Sequence, residues 1–176
     1  MVAGRRDLVL VRHGKSDWST WVPDRDRPVA PRGRRQATEA GAWLGAHGPR
    51  LDLAVVSPAV RAATTWELVA AGLPAPPPAV HDERVYTFDA DDLVAVVAGL
   101  DPAHSVVALV GHEPGLGELA SSLAGTEVAM PTSAVAWLGW DGAWGDVADH
   151  ARAGTATLRA AGRPPAAPDA AGVIEG

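Results

Sequence analysis

Two arginines and two histidines follow apolar runs in this chain. Arg12 and His13 come directly after Leu8–Val11. Arg61 follows Leu53–Val56 by way of Ser57-Pro58. His112 follows Val106–Val110 and Gly111. A guanidinium offers a planar fork of donors that fits phosphoryl oxygens. An imidazole is neutral near pH 7 and can act as a nucleophile or a hydrogen-bond donor. Gly14 lets the backbone turn sharply and approach a ligand. Taken alone, Arg12-His13-Gly14 also reads as an ordinary strand ending in basic residues. Arg61 alone also reads as a surface cation, and His112 alone as a structural histidine. Together the four residues make a cluster of positive charge suited to a doubly charged phosphoryl group.

The elements around them alternate between strand and helix. The first strand is expected over Asp7–Val11, and residues 14–30 form a polar loop with charges Asp24-Arg25-Asp26-Arg27. That loop is either solvated or the rim of a pocket, since it leaves directly from Arg12-His13. Pro31 suits the first turn of a helix, with the small residues Gly33, Ala37, Ala40 and Gly41 on one face with Leu44. Ser57-Pro58 reads as an N-cap and first helical position. It puts Arg61 in the first turn, where free N–H groups favour an anion. Residues 74–78 are a stiff proline connector. A short strand over Ala79–Arg84 and a helix capped by Asp89 follow. Pro114 opens the helix after His112. Ser133–Trp140 reads as a strand and Asp141-Gly142 as a hairpin turn. Trp144–Val147 is expected to return, and a last helix covers residues 149–160. The class is therefore α/β, with a mostly parallel central sheet flanked by helices. Ligands of such sheets bind beyond the carboxyl ends of the strands, where all four residues fall.

The 176 residues suit a single domain over residues 1–160, followed by an Ala/Pro/Gly-rich tail over 161–176 expected to be disordered. The net charge of −6 argues against a nucleic-acid partner. No apolar run approaches membrane-spanning length. The N-terminus lacks the pattern of a signal peptide, so a cytoplasmic location is expected. With no cysteine, disulfides and thiolate metal sites are excluded. His47, His81 and His104 lack a tight ligand spacing, so neither a metal nor a cofactor is expected. Trp43, Trp66 and Trp137 read as core. Trp18 and Trp21 lie in the loop beside the site and read either as loop residues or as a substrate-facing surface.

The motifs carry a resemblance. Arg12-His13-Gly14-Lys15-Ser16-Asp17-Trp18, Arg27-Pro28, Gly33, Ser57-Pro58-Ala59 with Arg61, and Gly111-His112-Glu113-Pro114-Gly115-Leu116 resemble the histidine phosphatase superfamily (phosphoglycerate mutase-like). Within it they are most similar to the short SixA-type phosphohistidine phosphatases. The resemblance covers roughly residues 7–150. It implies the histidine phosphatase fold without a large cap. It implies His13 as nucleophile, and Arg12, Gly14, Arg61 and His112 as the phosphate pocket. The arginines should lower the pKa of His13, and His112 should donate as imidazolium. In the superfamily the general acid is usually a carboxylate before the third helix, which points to Glu83, with Asp82 and Asp17 next. Glu113 stands where the superfamily commonly has Asn; it either repels some phosphates or caps its helix. The expected activity is metal-independent phosphate hydrolysis through a phosphohistidine intermediate, most readily on a phosphorylated protein side chain. A small-molecule phosphomonoesterase is the alternative, and a non-catalytic phosphate-binding domain a further one. A mutase fits less well, because retaining the intermediate calls for a closed site.

Overall fold

The computed structural model describes residues 4–164. Six strands form one sheet: β1 (Arg5–Arg12), β2 (Leu53–Val56), β3 (Ala79–His81), β4 (Val106–Gly111), β5 (Val135–Asp141) and β6 (Thr157–Gly162), in the order β3-β2-β4-β1-β5-β6. The first four run parallel, and β5 is antiparallel to both β1 and β6. Five helices flank the sheet: α1 (Pro31–His47), α2 (Val60–Ala71), α3 (Ala90–Ala98), α4 (Gly115–Ala124) and α5 (Val147–Ala153). Among the described residues, no helix is long and apolar enough to cross a membrane.

The apolar runs become strands because the sheet is covered on both faces, so the central strands are buried along their length except at their ends. In β1, Leu8 and Leu10 join the core formed with α3, α4 and α5, while Val9 and Val11 face the core under α1 and α2. Trp43 and Trp66 are buried in the second core. The small face of α1 has a concrete partner: a Cβ at Gly41 would lie 2.5 Å from the Val69 carbonyl oxygen of α2, and one at Gly72 would lie 2.5 Å from the Gly41 carbonyl carbon. The two helices therefore approach backbone to backbone where α1 passes the C-terminal end of α2.

The topology positions the site. From β1 the chain crosses through α1 to β2 on one side; from β4 it crosses through α4 to β5 on the other. β1 and β4 are neighbours, with Arg12 beside Gly111. Their carboxyl ends thus form the point where the winding reverses, and a crevice opens there. His13 and His112 are the next residue along each strand.

Several expected boundaries shift. The strand after the proline connector stops at His81, and Glu83–Val85 is a 3-10 turn. Helix α2 begins at Val60 with Ala59 as its N-cap, two residues beyond Ser57-Pro58. The return after Asp141-Gly142 is not made by Trp144–Val147. Trp144 instead opens a 3-10 turn, buries its ring edge-on against Trp140 with centroids 5.5 Å apart, and donates Nε1–H to the His104 carbonyl. A Trp held into the core this way cannot point along an edge strand. The final segment also differs: the helix ends at Ala153, Gly154 turns with φ +63°, and Thr157–Gly162 pairs with β5. Ala161 and Gly162, placed in the expected tail, belong to that strand, and residues 165–176 lie outside the described residues.

Candidate active site

His13 is 8% exposed and held through its main chain on both sides. Its N–H donates to the Gly111 carbonyl, and its own carbonyl accepts from Ser133 N–H. Ser133 is fully buried and adopts φ +62°, a conformation rare for a residue with a side chain. The ring is fixed as well. His13 Nδ1 lies 2.8 Å from the Gly14 carbonyl oxygen. A carbonyl only accepts, so Nδ1 carries the proton and the Nε2 lone pair is left free. Burial lowers the His13 pKa to about 4, against the favourable Gly14 contact, and the charges of Arg61 and Arg12 lower it further. The arginines act as expected, but burial is the larger cause.

Gly14 takes a different part from the one predicted. Its N–H donates to Thr65 Oγ1 at 2.8 Å and its carbonyl holds His13, so neither backbone group is left for a phosphate. Its lack of a side chain serves packing. A Cβ there would sit 2.9 Å from the Gly33 carbonyl oxygen, and one at Gly33 would meet Lys15 at 2.6 Å. Thr65 is fully buried and donates in turn to the Arg61 carbonyl at 2.7 Å. The loop after β1 is thereby tied to the first turns of α2.

His112 is 1% exposed, with its ring centroid 5.1 Å from that of His13. Its Nε2 lies 2.7 Å from Ser57 Oγ. Ser57 thus braces the second histidine rather than capping a helix; its place just after β2, adjacent to β4 in the sheet, is the signal that could have found it. Burial, then His13 and Arg61, lower the His112 pKa to about 3. A ring buried beside another imidazole and two guanidiniums is held neutral, so the expected imidazolium requires a nearby anion.

Arg12 donates to the Met130 carbonyl at 2.9 Å. Arg61, 3% exposed, sits at the start of α2 as predicted, but two of its N–H groups are engaged: Nη1 with the Asp24 carbonyl at 2.6 Å, Nη2 with Asp24 Oδ2 at 3.0 Å. Arg12, His13, Arg61 and His112 therefore come together. Glu83 does not join them. Its side chain is 70% exposed, and both its oxygens are taken by Arg25 at 2.8 and 2.5 Å, which lowers its pKa. A paired carboxylate of lowered pKa is a poor proton donor at neutral pH. Asp82 is committed to Arg84, and Asp17 caps Ser19 N–H. Glu113 accepts from Gly117 N–H at 2.5 Å, so it caps its helix as one of its two readings has it, and its carboxylate also acts on Arg12. Trp137 is only partly buried and donates Nε1–H to Asp7. Trp18 and Trp21 are 70% and 89% exposed, and Trp18 stacks on the Arg27 guanidinium at 3.6 Å. Among the described residues, no group of three or more His, Asp or Glu side chains could hold a metal ion.

The comparisons agree with this fold. The family model of the histidine phosphatase superfamily (branch 1) matches residues 8–93. The protein Rv1276c of Mycobacterium tuberculosis (strain ATCC 25618 / H37Rv) is 36% identical over 148 residues, covering 78% of this chain and 91% of its own length. A structure named "Putative Phosphohistidine Phosphatase SixA" from Nakamurella multipartitia superposes with a TM-score of 0.79 at 31% identity, covering 94% of this chain and all of its own. A 2,3-bisphosphoglycerate-dependent phosphoglycerate mutase of Azorhizobium caulinodans is 42% identical over 67 residues, 36% of this chain and 32% of the mutase. The chain is a phosphatase by these relationships, and it belongs to the histidine phosphatase superfamily.

Proposed function

We propose that the chain hydrolyses phosphohistidine on a protein partner, with His13 as the nucleophile. The observation that carries this reading is the His13 ring: its Nδ1 proton is committed to the Gly14 carbonyl, which leaves a neutral Nε2 free, and the charges of Arg61 and Arg12 act on the ring. In the first step Nε2 forms a bond to phosphorus while the bond to the leaving imidazole nitrogen breaks. That nitrogen takes its proton from solvent, so the site manages without a buried carboxylic acid. In the second step water attacks the phosphohistidine, the P–N bond to His13 breaks, and inorganic phosphate departs. Arg12 and Arg61 neutralise charge on the transferring oxygens. A dianion there would also raise the His112 pKa, letting that ring donate a hydrogen bond to it.

Two features favour a protein substrate. Among the described residues nothing forms a large cap: residues 74–104 supply only the proline connector, the edge strand β3, a 3-10 turn and α3. Beside the mouth, Phe88 is 50% exposed with its ring 5.6 Å from His112, and the loop after β1 adds Trp18 and Trp21. Exposed aromatic groups around an open polar pocket suit contact with another protein. The name of the Nakamurella structure points the same way. The reading is tested by comparing kcat/KM for a phosphohistidine-bearing protein with that for a panel of small phosphomonoesters. A preference for the protein of at least ~10²-fold is expected. Equal or better turnover of a metabolite would replace it with a small-molecule phosphatase.

A further inference from the structure

Three side chains converge on the Asp24 carboxylate. Arg61 Nη2 and Tyr86 Oη both donate to Oδ2, at 3.0 and 2.5 Å, and Arg27 pairs with Oδ1. Asp24 sits in a 3-10 turn over Asp24–Asp26, 37 residues before Arg61 in sequence. Arg61 has five N–H donors and gives two of them to Asp24, so three remain for a phosphoryl group. A phosphoryl group held by Arg61 therefore lies one guanidinium away from a fixed negative charge. The floor is closed, since His13, His112 and Arg61 are each at most 8% exposed, whereas the Asp24 side chain is 44% exposed. Asp24, bonded to Arg61 and open to water, therefore lies on the solvent side of that floor. The Tyr86 ring, 5.5 Å from that of His112, extends this wall across the mouth. Glu83 is directed to Arg25, and Glu113 bonds the N-terminus of α4 with its charge acting on Arg12 rather than on Arg61.

We propose that Asp24 is a specificity-determining residue that selects substrates by the charge of the group attached to phosphorus. It disfavours compounds whose remainder is anionic next to the phosphoryl group, and favours those whose remainder is neutral or cationic. The protonated imidazole of a phosphohistidine belongs to the favoured class, so the inference rests on the proposed function and names the residue that enforces it. Unit charges a side chain's length apart, in a partly solvated mouth, change affinity by roughly tenfold.

Three alkyl phosphates with the same ester linkage isolate that charge: phosphoethanolamine, ethyl phosphate and phosphoglycolate. Their dissociation constants are to be measured by calorimetry on the full chain carrying His13→Ala, which cannot turn them over. The expected order is cationic tightest and anionic weakest, with about a tenfold spread. Adding Asp24→Asn should compress the spread to within about twofold, while Tyr86→Phe, which keeps the charge, should retain it. A loosened Arg61 would weaken all three equally and leave the spread, so an unchanged spread in Asp24→Asn overturns the proposal. In the parent protein the spread should shrink as NaCl rises from 10 to 500 mM. A spread indifferent to salt, or no spread at all, overturns it without recourse to the variant. Phosphatase assays of the wild-type chain on phosphohistidine test the proposed function separately, because the binding arm needs no catalysis.

Discussion

The floor and the rim of the pocket are built on different principles. The floor is Arg12, His13, Arg61 and His112, set on the carboxyl ends of β1 and β4 and the start of α2. Its histidines and Arg61 are buried and Arg12 is half-buried, and it is braced by main-chain and hydroxyl contacts from Gly111, Gly14, Thr65 and Ser57. The rim is Asp24, Arg25, Glu83, Tyr86 and the indole of Trp18. It is exposed and held together by ion pairs and stacking between loops. Burial makes the floor a place where charge acts strongly and where rings stay neutral. Exposure leaves the rim weakly coupled to the chemistry, with Asp24 the rim carboxylate that pairs with the floor through Arg61. The floor should therefore govern whether the enzyme works, and the rim which substrates it takes.

The sharpest break in that comparison is His13→Ala. Loss of the nucleophile should lower kcat by on the order of 10⁴-fold or more, with near-native unfolding behaviour; retained turnover would move the chemistry off the floor. Arg61→Ala comes next. Removing a charge-assisted clamp should cost at least ~10²-fold in kcat/KM. It also frees Asp24, so the loss should be greater for anionic substrates than for neutral ones. If the variant is fully active wherever it is folded, Arg61 belongs with the structural contacts.

The buried histidines give a smaller effect with a defined sign. Both have folded pKa values below the unfolded value, His13 at about 4 and His112 at about 3. The unfolded chain therefore binds more protons as pH falls below about 6.5. The stability that depends on keeping the rings neutral is complete above that pH and is lost as it drops towards 4 and then 3. By pH 5 each histidine should cost roughly 1–2 kcal/mol relative to pH 7. Urea unfolding at the two pH values measures this, and NMR titration should find both rings unprotonated at pH 5. Rings titrating near 6.5 would mean the floor is open to water. The smallest effect belongs to the rim: Glu83→Gln should change kcat/KM for an alkyl phosphate by less than about twofold. A loss of roughly 10²-fold or more, the range of a general acid, would restore Glu83 to the mechanism.

The same contrast explains what could be read from the sequence. The floor was legible because its residues follow apolar runs, and apolar runs of four to six residues bounded by turns become buried strands. The parallel order then brings their ends together by topology. The rim was not legible, because its partners are remote. Nothing local distinguishes Asp24 from Asp26, and only the fold brings Arg61 to one and not the other. Glu83 was singled out by its position before α3, while the Arg25 that claims it lies 58 residues away. The same limit applies to β6. Thr157–Gly162 carries too little alternation to declare a strand, and it becomes one by pairing with β5 at the edge of a sheet already formed. Gly14 illustrates a subtler failure: its smallness was evident, but what it makes room for, the backbone of Gly33, belongs to another element.

The central claim is that His13 Nε2 takes the phosphoryl group. Rapid quench of the wild-type chain during turnover of a phosphohistidine substrate tests it most directly, with the quenched protein digested and the modified residue located. The account predicts a transient N-linked phosphate on His13, labile in acid and stable in alkali, formed and lost at rates that support kcat and absent from His13→Ala. Turnover without any phosphorylated protein, or phosphate trapped on a residue other than His13, would contradict it.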